Sequence, residues 1–119
     1  MVRANQFINE AIDSDAINEL KLFIMNNEDL YRRQFMPIIY NIQRKIKNGT
    51  YNHELAPKLW MYLVDAAARE YVKEFGSPDQ DVRDMFPKSV RQDVAKDLAD
   101  QEYENIQAGE YNVTKGTVS

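Results

Sequence analysis

The chain contains no cysteine. That removes disulfides, thiolate metal sites and cysteine nucleophiles, and it fits a reducing compartment. Histidine occurs once, as His53, so no second imidazole or thiolate exists to complete a typical zinc site. Glycine and proline occur only four times each in 119 residues. No apolar run approaches the roughly 20 residues of a membrane span, and the opening MVRANQFINEAID has no signal-peptide core. There is no glycine-rich phosphate loop, no G-x-S-x-G and no H-E-x-x-H. These absences predict a protein without catalytic residues, metal or cofactor, acting in the cytoplasm with no membrane partner.

What remains is an ordinary globular composition, 44% hydrophobic and 29% charged. The length suits one domain with one sizeable core. The pattern is helical throughout, and no stretch before the C-terminal residues alternates with strand period.

The richest stretch is Asn52 to Gly76, NHELAPKLWMYLVDAAAREYVKEFG, which holds the only Trp. At about 100° per residue, Ala56, Leu59, Trp60, Met61, Leu63, Val64, Ala67, Ala68, Tyr71, Val72 and Phe75 fill an arc of roughly 220°. Lys58, Tyr62, Asp65, Arg69 and Lys73 share the narrow remainder. A helix packed on one side needs a stripe of only about 100°, so this one touches at least two neighbours. Asn52 suits an N-cap, and Gly76 stands where a C′ glycine belongs. Pro57 allows either a separate turn followed by a helix starting at Pro57, or one missing early backbone bond. Asp65 and Arg69 are spaced for an i, i+4 ion pair.

Towards the N-terminus, Val2 to Ile12 carries Phe7, Ile8, Ala11 and Ile12 at helical spacing. Asp13 or Ser14 can then cap a second helix with Ile17, Leu20, Phe23 and Ile24 on one face. Asn27 caps the next pattern, in which Tyr31, Phe35, Ile38, Ile39, Ile42 and Ile46 line one side. Pro37 falls inside it without disturbing the phase, which predicts a kinked helix, with a break at Met36 as the alternative. Asn48-Gly49 ends it, and the short linker to Asn52 makes residues 28–48 and 53–75 an antiparallel αα-hairpin. Beyond Ser77-Pro78, DQDVRDMF reads as a turn or two presenting Val82, Met85 and Phe86. Pro87 suits N1 of a last helix docked by Val90, Val94, Ala95 and Leu98. Its apolar face thins beyond Asp100, predicting an end that projects into solvent. Residues 1–108 thus form one domain, an all-α compact bundle of four or five helices around a central αα-hairpin. Residues 109–119, GEYNVTKGTVS, form a flexible tail.

The net charge of −4 is unevenly spread. Residues 30–64 hold Arg32, Arg33, Arg44, Lys45, Lys47 and Lys58 against Glu54 alone, a net +5, which leaves −9 for the rest. On helix 28–48, Arg33, Tyr40, Arg44 and Lys47 share the face opposite the isoleucines, and Tyr51 and His53 extend it at the turn. This stripe is a solvated face, a dock for an acidic protein surface, or a phosphate-binding face on which Tyr40 stacks a base, in that order. Another copy could supply the acidic surface, since residues 77–110 carry nine acids and four bases. The other candidates have plainer readings. His53 is a turn residue. Asp79, Asp81 and Asp84 lack the glycine and the glutamate of an EF-hand loop and read as acids at a helix start. Glu70 and Glu74, on the flank of the wide arc, suit ion pairs with a neighbouring helix.

Tyr31 to Gly76, YRRQFMPIIYNIQRKIKNGTYNHELAPKLWMYLVDAAAREYVKEFG, and Met85 to Asp100, MFPKSVRQDVAKDLAD, resemble small helical proteins of tailed-bacteriophage genomes. Those proteins have no known function, so the resemblance implies a source rather than site residues. It implies action in a bacterial host's cytoplasm and favours a host-directed binding protein or a nucleic-acid accessory factor. The expectation is therefore a small non-enzymatic binding protein whose partner is a host protein or a second copy. The alternative is a nucleic-acid-binding accessory protein that uses the basic face of helix 28–48.

Overall fold

The computed structural model describes residues 2–111, with side chains from residue 14 onward. Helix α1 is Val2–Asn26. Helix α2 is one helical run made of Glu28–Leu30, Tyr31–Phe35 and Met36–Asn48. Helix α3 is Ala56–Phe75, entered through a 3₁₀ turn at His53–Leu55; α4 is Val82–Met85 and α5 is Lys88–Gln107. No strand occurs among the described residues, and the all-α bundle expected from the pattern is the fold observed.

Helix α1 does not stop at Asp13 or Ser14, where the pattern predicts a second start. Neither residue breaks a helix. Each costs only about half a kcal/mol relative to alanine, less than the hydrogen bonds that continuity keeps. Leu20 and Ile24 are buried and Ile17 and Phe23 partly so; the side chains of Phe7, Ile8, Ala11 and Ile12 lie outside the described residues.

In α2, Asn27 caps as expected, its Oδ1 accepting from the Leu30 N–H at 3.0 Å. Pro37 lies inside the run without breaking it. In a regular α-helix the Pro37 ring would crowd the Arg33 carbonyl, which would also lose its N–H partner. A π turn over Tyr31–Phe35 precedes it, with the Met36 N–H bonded to the Tyr31 carbonyl. The wider turn aligns residues five apart. Leu30 and Phe35, which ideal α geometry sets about 140° apart, are therefore both buried, and the stripe continues through Ile39 and Ile42. Gly49 ends the helix in the left-handed conformation, φ 75, as expected.

Asn52 Oδ1 accepts from the Glu54 N–H at 3.0 Å, and Pro57 sits in the first turn of α3, where a missing N–H leaves no bond unmade. Trp60, Leu63, Val64, Ala67 and Ala68 are fully buried, while Tyr62 on the narrow polar face is 80% exposed. Phe75, counted in the apolar arc, is 60% exposed. Gly76 is extended, φ −86 and ψ 170, and not the left-handed C′ residue expected. Glycine is required for another reason: a Cβ there would stand 2.7 Å from the Val72 carbonyl oxygen.

The closest helix pair is α3 with α5, and α1 lies against both. Alanines allow that approach: Ala67 and Ala68 on α3 and Ala95 and Ala99 on α5 are all buried. The short linker does not make α2 and α3 the tightest pair. Helix α2 meets the core through bulkier groups, with the Phe35 ring 5.1 Å from the Trp60 ring. Asp65 pairs with Arg91 of α5, not with Arg69: Arg91 Nη1 donates to Asp65 Oδ1 at 2.8 Å while its Nε donates to the Phe86 carbonyl at 3.0 Å. That carbonyl holds Arg91 in place across the helix pair, whereas Arg69 is exposed.

Asp81 caps α4 by accepting from the Arg83 N–H at 2.9 Å, and this bond foremost holds its carboxyl below the usual carboxylate value. Phe86 is buried, with Val82 and Met85 half-buried. Pro87 is the N-cap of α5, one residue earlier than expected. The end of α5 does not project. Glu102 is fully buried, and Tyr103 and Ile106 are half-buried. A turn with Gly109 at φ 83 brings Tyr111 back over the helix. The Tyr111 hydroxyl donates to Glu102 Oε1, and Asn105 Nδ2 donates to the same oxygen at 3.2 Å. A helix wheel cannot register this, because the cover comes from outside the helix. Of the segment read as a tail, Tyr111 therefore packs while Glu110 is exposed; residues 112–119 lie outside the described residues.

Candidate functional site

The six residues singled out by the sequence fall in three places. Tyr40, Arg44 and Lys47 lie on the surface of the C-terminal half of α2, with Tyr40 56% exposed and both cations exposed. Arg44 Nη2 donates to Asn41 Oδ1 at 3.2 Å. Among the described residues no carboxylate comes within ion-pair distance of Arg44, Lys45 or Lys47. Arg33 is different. Its Nε stands 3.0 Å from Asp29, and Arg32 pairs with Glu28 in the same way, so the first half of α2 neutralises its own charge. The π turn also changes Arg33's bearing: it lines a shallow groove with Gln34, Pro37 and Asn41, facing Leu59 and Tyr62. The uncompensated stripe is thus Tyr40, Arg44 and Lys47.

Tyr51 and His53 turn towards α5. The Tyr51 hydroxyl donates to His53 Nδ1 at 2.6 Å, and His53 Nε2–H donates to Asp100 Oδ1 at 2.7 Å. The Tyr103 ring stacks on Tyr51 at 5.1 Å, nearly parallel, and meets His53 at 5.0 Å. Burial, then the neighbouring Tyr103 and Asp100, push the Tyr51 phenol up to about 12. Tyr51 therefore stays protonated as a donor at neutral pH. A hydroxyl–imidazole–carboxylate chain resembles nucleophile activation in outline. Here the phenol is made harder to ionise, and the ring is covered by a stacked tyrosine. The arrangement clasps the α2–α3 linker to α5. Asp100 and Tyr103 were not singled out by the sequence; the signal was their i, i+3 spacing, which sets both on one side of α5, away from Leu98.

A third feature lies between the C-terminal parts of α1 and α3. Phe23 packs edge to face on Tyr71 and Phe75, with centroid separations of 5.3 Å and 6.3 Å, and Tyr71 and Phe75 meet at a tilt, 4.9 Å apart. With Leu22 they floor a groove of about 650 Å³ rimmed by Glu19, Glu28 and Glu74. Leu22 is 58% exposed and Phe75 60%. Glu19 accepts from the Tyr71 hydroxyl at 3.2 Å, and this contact, after burial, holds the Tyr71 phenol above its usual value. Glu28 is occupied by Arg32, and Glu74 is exposed. The sequence hint was Leu22, which falls off the Ile17–Leu20–Ile24 face.

Among the described residues no group of three His, Asp or Glu side chains could hold a metal ion, and no helix is long and apolar enough to cross a membrane. Comparison with protein-family models, curated proteins and solved structures finds no match.

Proposed function

We propose that the protein is a small non-catalytic binding protein that docks an acidic protein surface on Tyr40, Arg44 and Lys47. The observation that carries this reading is an exposed aromatic ring next to two exposed cations that no carboxylate among the described residues neutralises. Aromatic and arginine side chains are the groups most enriched where binding energy concentrates. A phage origin, which the sequence resemblance favours, would place this binding in the cytoplasm of a bacterial host, with a host factor or the protein itself as partner.

The same three side chains support a second reading, in which the cations meet phosphates and Tyr40 stacks on a base. The overall charge of −4 and the neutralised Arg32 and Arg33 weigh against it. Capture from bacterial lysate with and without nuclease separates the two. A protein partner kept after nuclease treatment and lost in R44Q/K47Q supports the first reading. Micromolar binding of single-stranded or duplex nucleic acid at physiological salt would promote the second, provided its log–log salt slope loses about one unit per cation removed.

A further inference from the structure

We infer that the acidic surface taken by the Tyr40–Arg44–Lys47 stripe is the Glu19–Glu28–Glu74 groove of a second copy of this chain, so that copies associate head to tail. The inference rests on the binding reading above and names its partner.

The two surfaces match in kind. The stripe is an aromatic ring followed by two cations along one helix face, and the groove is an apolar floor set between carboxylates. Tyr40 offers a ring 56% exposed to a floor whose Leu22 and Phe75 are 58% and 60% exposed. Among the described residues, Arg44 and Lys47 have no carboxylate partner and Glu74 is in no ion pair. Joining them covers apolar area on both sides and neutralises charge on both.

One copy cannot make this contact with itself. Glu28 opens α2 and Lys47 stands one residue before its end. At 1.5 Å per residue, these positions are about 28 Å apart along one helix. The contact joins different patches on the two copies, so each added copy leaves a groove at one end and a stripe at the other. Such a contact builds open chains unless its rotation closes a ring. A contact of this small size is weak, and its charged part shortens in reach from about 10 Å at 0.1 M salt to about 3 Å at 1 M.

Sedimentation velocity on the full chain tests this. Wild type should show an average mass that rises with concentration and falls with salt. Two surface variants each remove one half of the contact: R44Q/K47Q on the stripe and L22S/E74Q on the groove. Each should associate at least tenfold more weakly than wild type, with an unchanged far-UV melt. Mixed in equal amounts, they should form a one-to-one complex that grows no further, because a single competent pair remains; a misfolded variant could not do this. The inference is overturned if wild type stays monomeric at about 0.1 mM, if either variant associates like wild type, or if the mixture forms no pair. A monomeric wild type that still captures a lysate protein through Arg44 and Lys47 would overturn this inference and leave the binding reading standing.

Discussion

Replacing Trp60 with alanine removes the largest fully buried side chain of the core, one whose ring lies 5.1 Å from that of Phe35. Truncating a buried large aromatic costs about 3–5 kcal/mol, part of it lost transfer energy and part the cavity left behind. One term works in the other direction. Trp60 Nε1 is buried without a hydrogen-bond partner among the described residues, and a buried donor left unpaired costs about 1–3 kcal/mol, which alanine relieves. The net loss should therefore fall near the low end, about 3 kcal/mol, from a total stability of about 5–15 kcal/mol. Trp60→Phe separates the two terms. It keeps most of the ring volume and deletes the orphan donor, so it should stay within about 1 kcal/mol of wild type. Urea unfolding followed by far-UV circular dichroism is the assay, since the only indole fluorophore is gone in both variants. With a slope of about 1.5 kcal/mol/M, the alanine variant should lose about 2 M in midpoint. A loss below about 1 kcal/mol for alanine would refute the buried position of Trp60. A phenylalanine variant as unstable as the alanine variant would refute the orphan-donor argument.

Other perturbations test the polar contacts. Arg91→Ala leaves Asp65 and the Phe86 carbonyl without their donor and should cost about 2 kcal/mol, the low end for charged hydrogen bonds because Asp65 keeps a third of its surface. Its coupling to Asp65→Ala in a double-mutant cycle should be about 1–2 kcal/mol, and zero coupling would mean the pair contributes nothing. Tyr111→Phe removes a donor from buried Glu102 and should cost about 1–2 kcal/mol in chemical denaturation; no loss would mean that the turn after α5 does not hold the helix end. The Tyr51 phenol, raised to about 12 mainly by burial, is protonated in the folded state at pH values where an unfolded tyrosine has ionised. Its contribution to stability is complete below about pH 10 and is lost as the pH rises towards about 12. In an absorbance titration Tyr51→Phe should delete one late-ionising phenol, and titration of every tyrosine near pH 10 would contradict the clasp.

The helical class and the position of Trp60 were legible because they depend on periodicity within a single helix. So were the caps at Asn27 and Asn52, where the chemistry is local. What could not be read depends on residues far apart in the chain. Asp65 has a good local partner in Arg69 and a better one 26 residues away in Arg91. Glu102 looks solvated until Tyr111 folds back over it. Tyr51 and His53 look like an extension of the basic stripe until Asp100, 47 residues beyond His53, comes within 2.7 Å. For the candidate surfaces, the cations of α2 were visible in the sequence, but their compensation was not. Arg33 and Arg44 look equivalent on a wheel, and only one of them has an acid four residues before it. The groove was hidden because Phe75 fits the apolar arc of α3, yet it is the last residue of the helix and packs only one side of its ring on Phe23 and Tyr71, staying 60% exposed.

The π turn at Tyr31–Phe35 can also be regarded as a setting of angle. It carries one residue more than an α-helix uses for the same turn. Deleting a residue there would set Leu30 and Phe35 on different faces and bring the Pro37 ring against a carbonyl of the preceding turn. It would rotate the rest of α2, Tyr40, Arg44 and Lys47 included, by about 100° relative to Asn27 and Glu28. In a head-to-tail chain the α1 wall of the groove and Glu28 precede this turn, the α3 wall is packed on α1, and the stripe stands on the far half of α2. The twist from one copy to the next is then inherited from the turn, and chains built from a one-residue deletion would differ from wild type in pitch while keeping the same contacting residues.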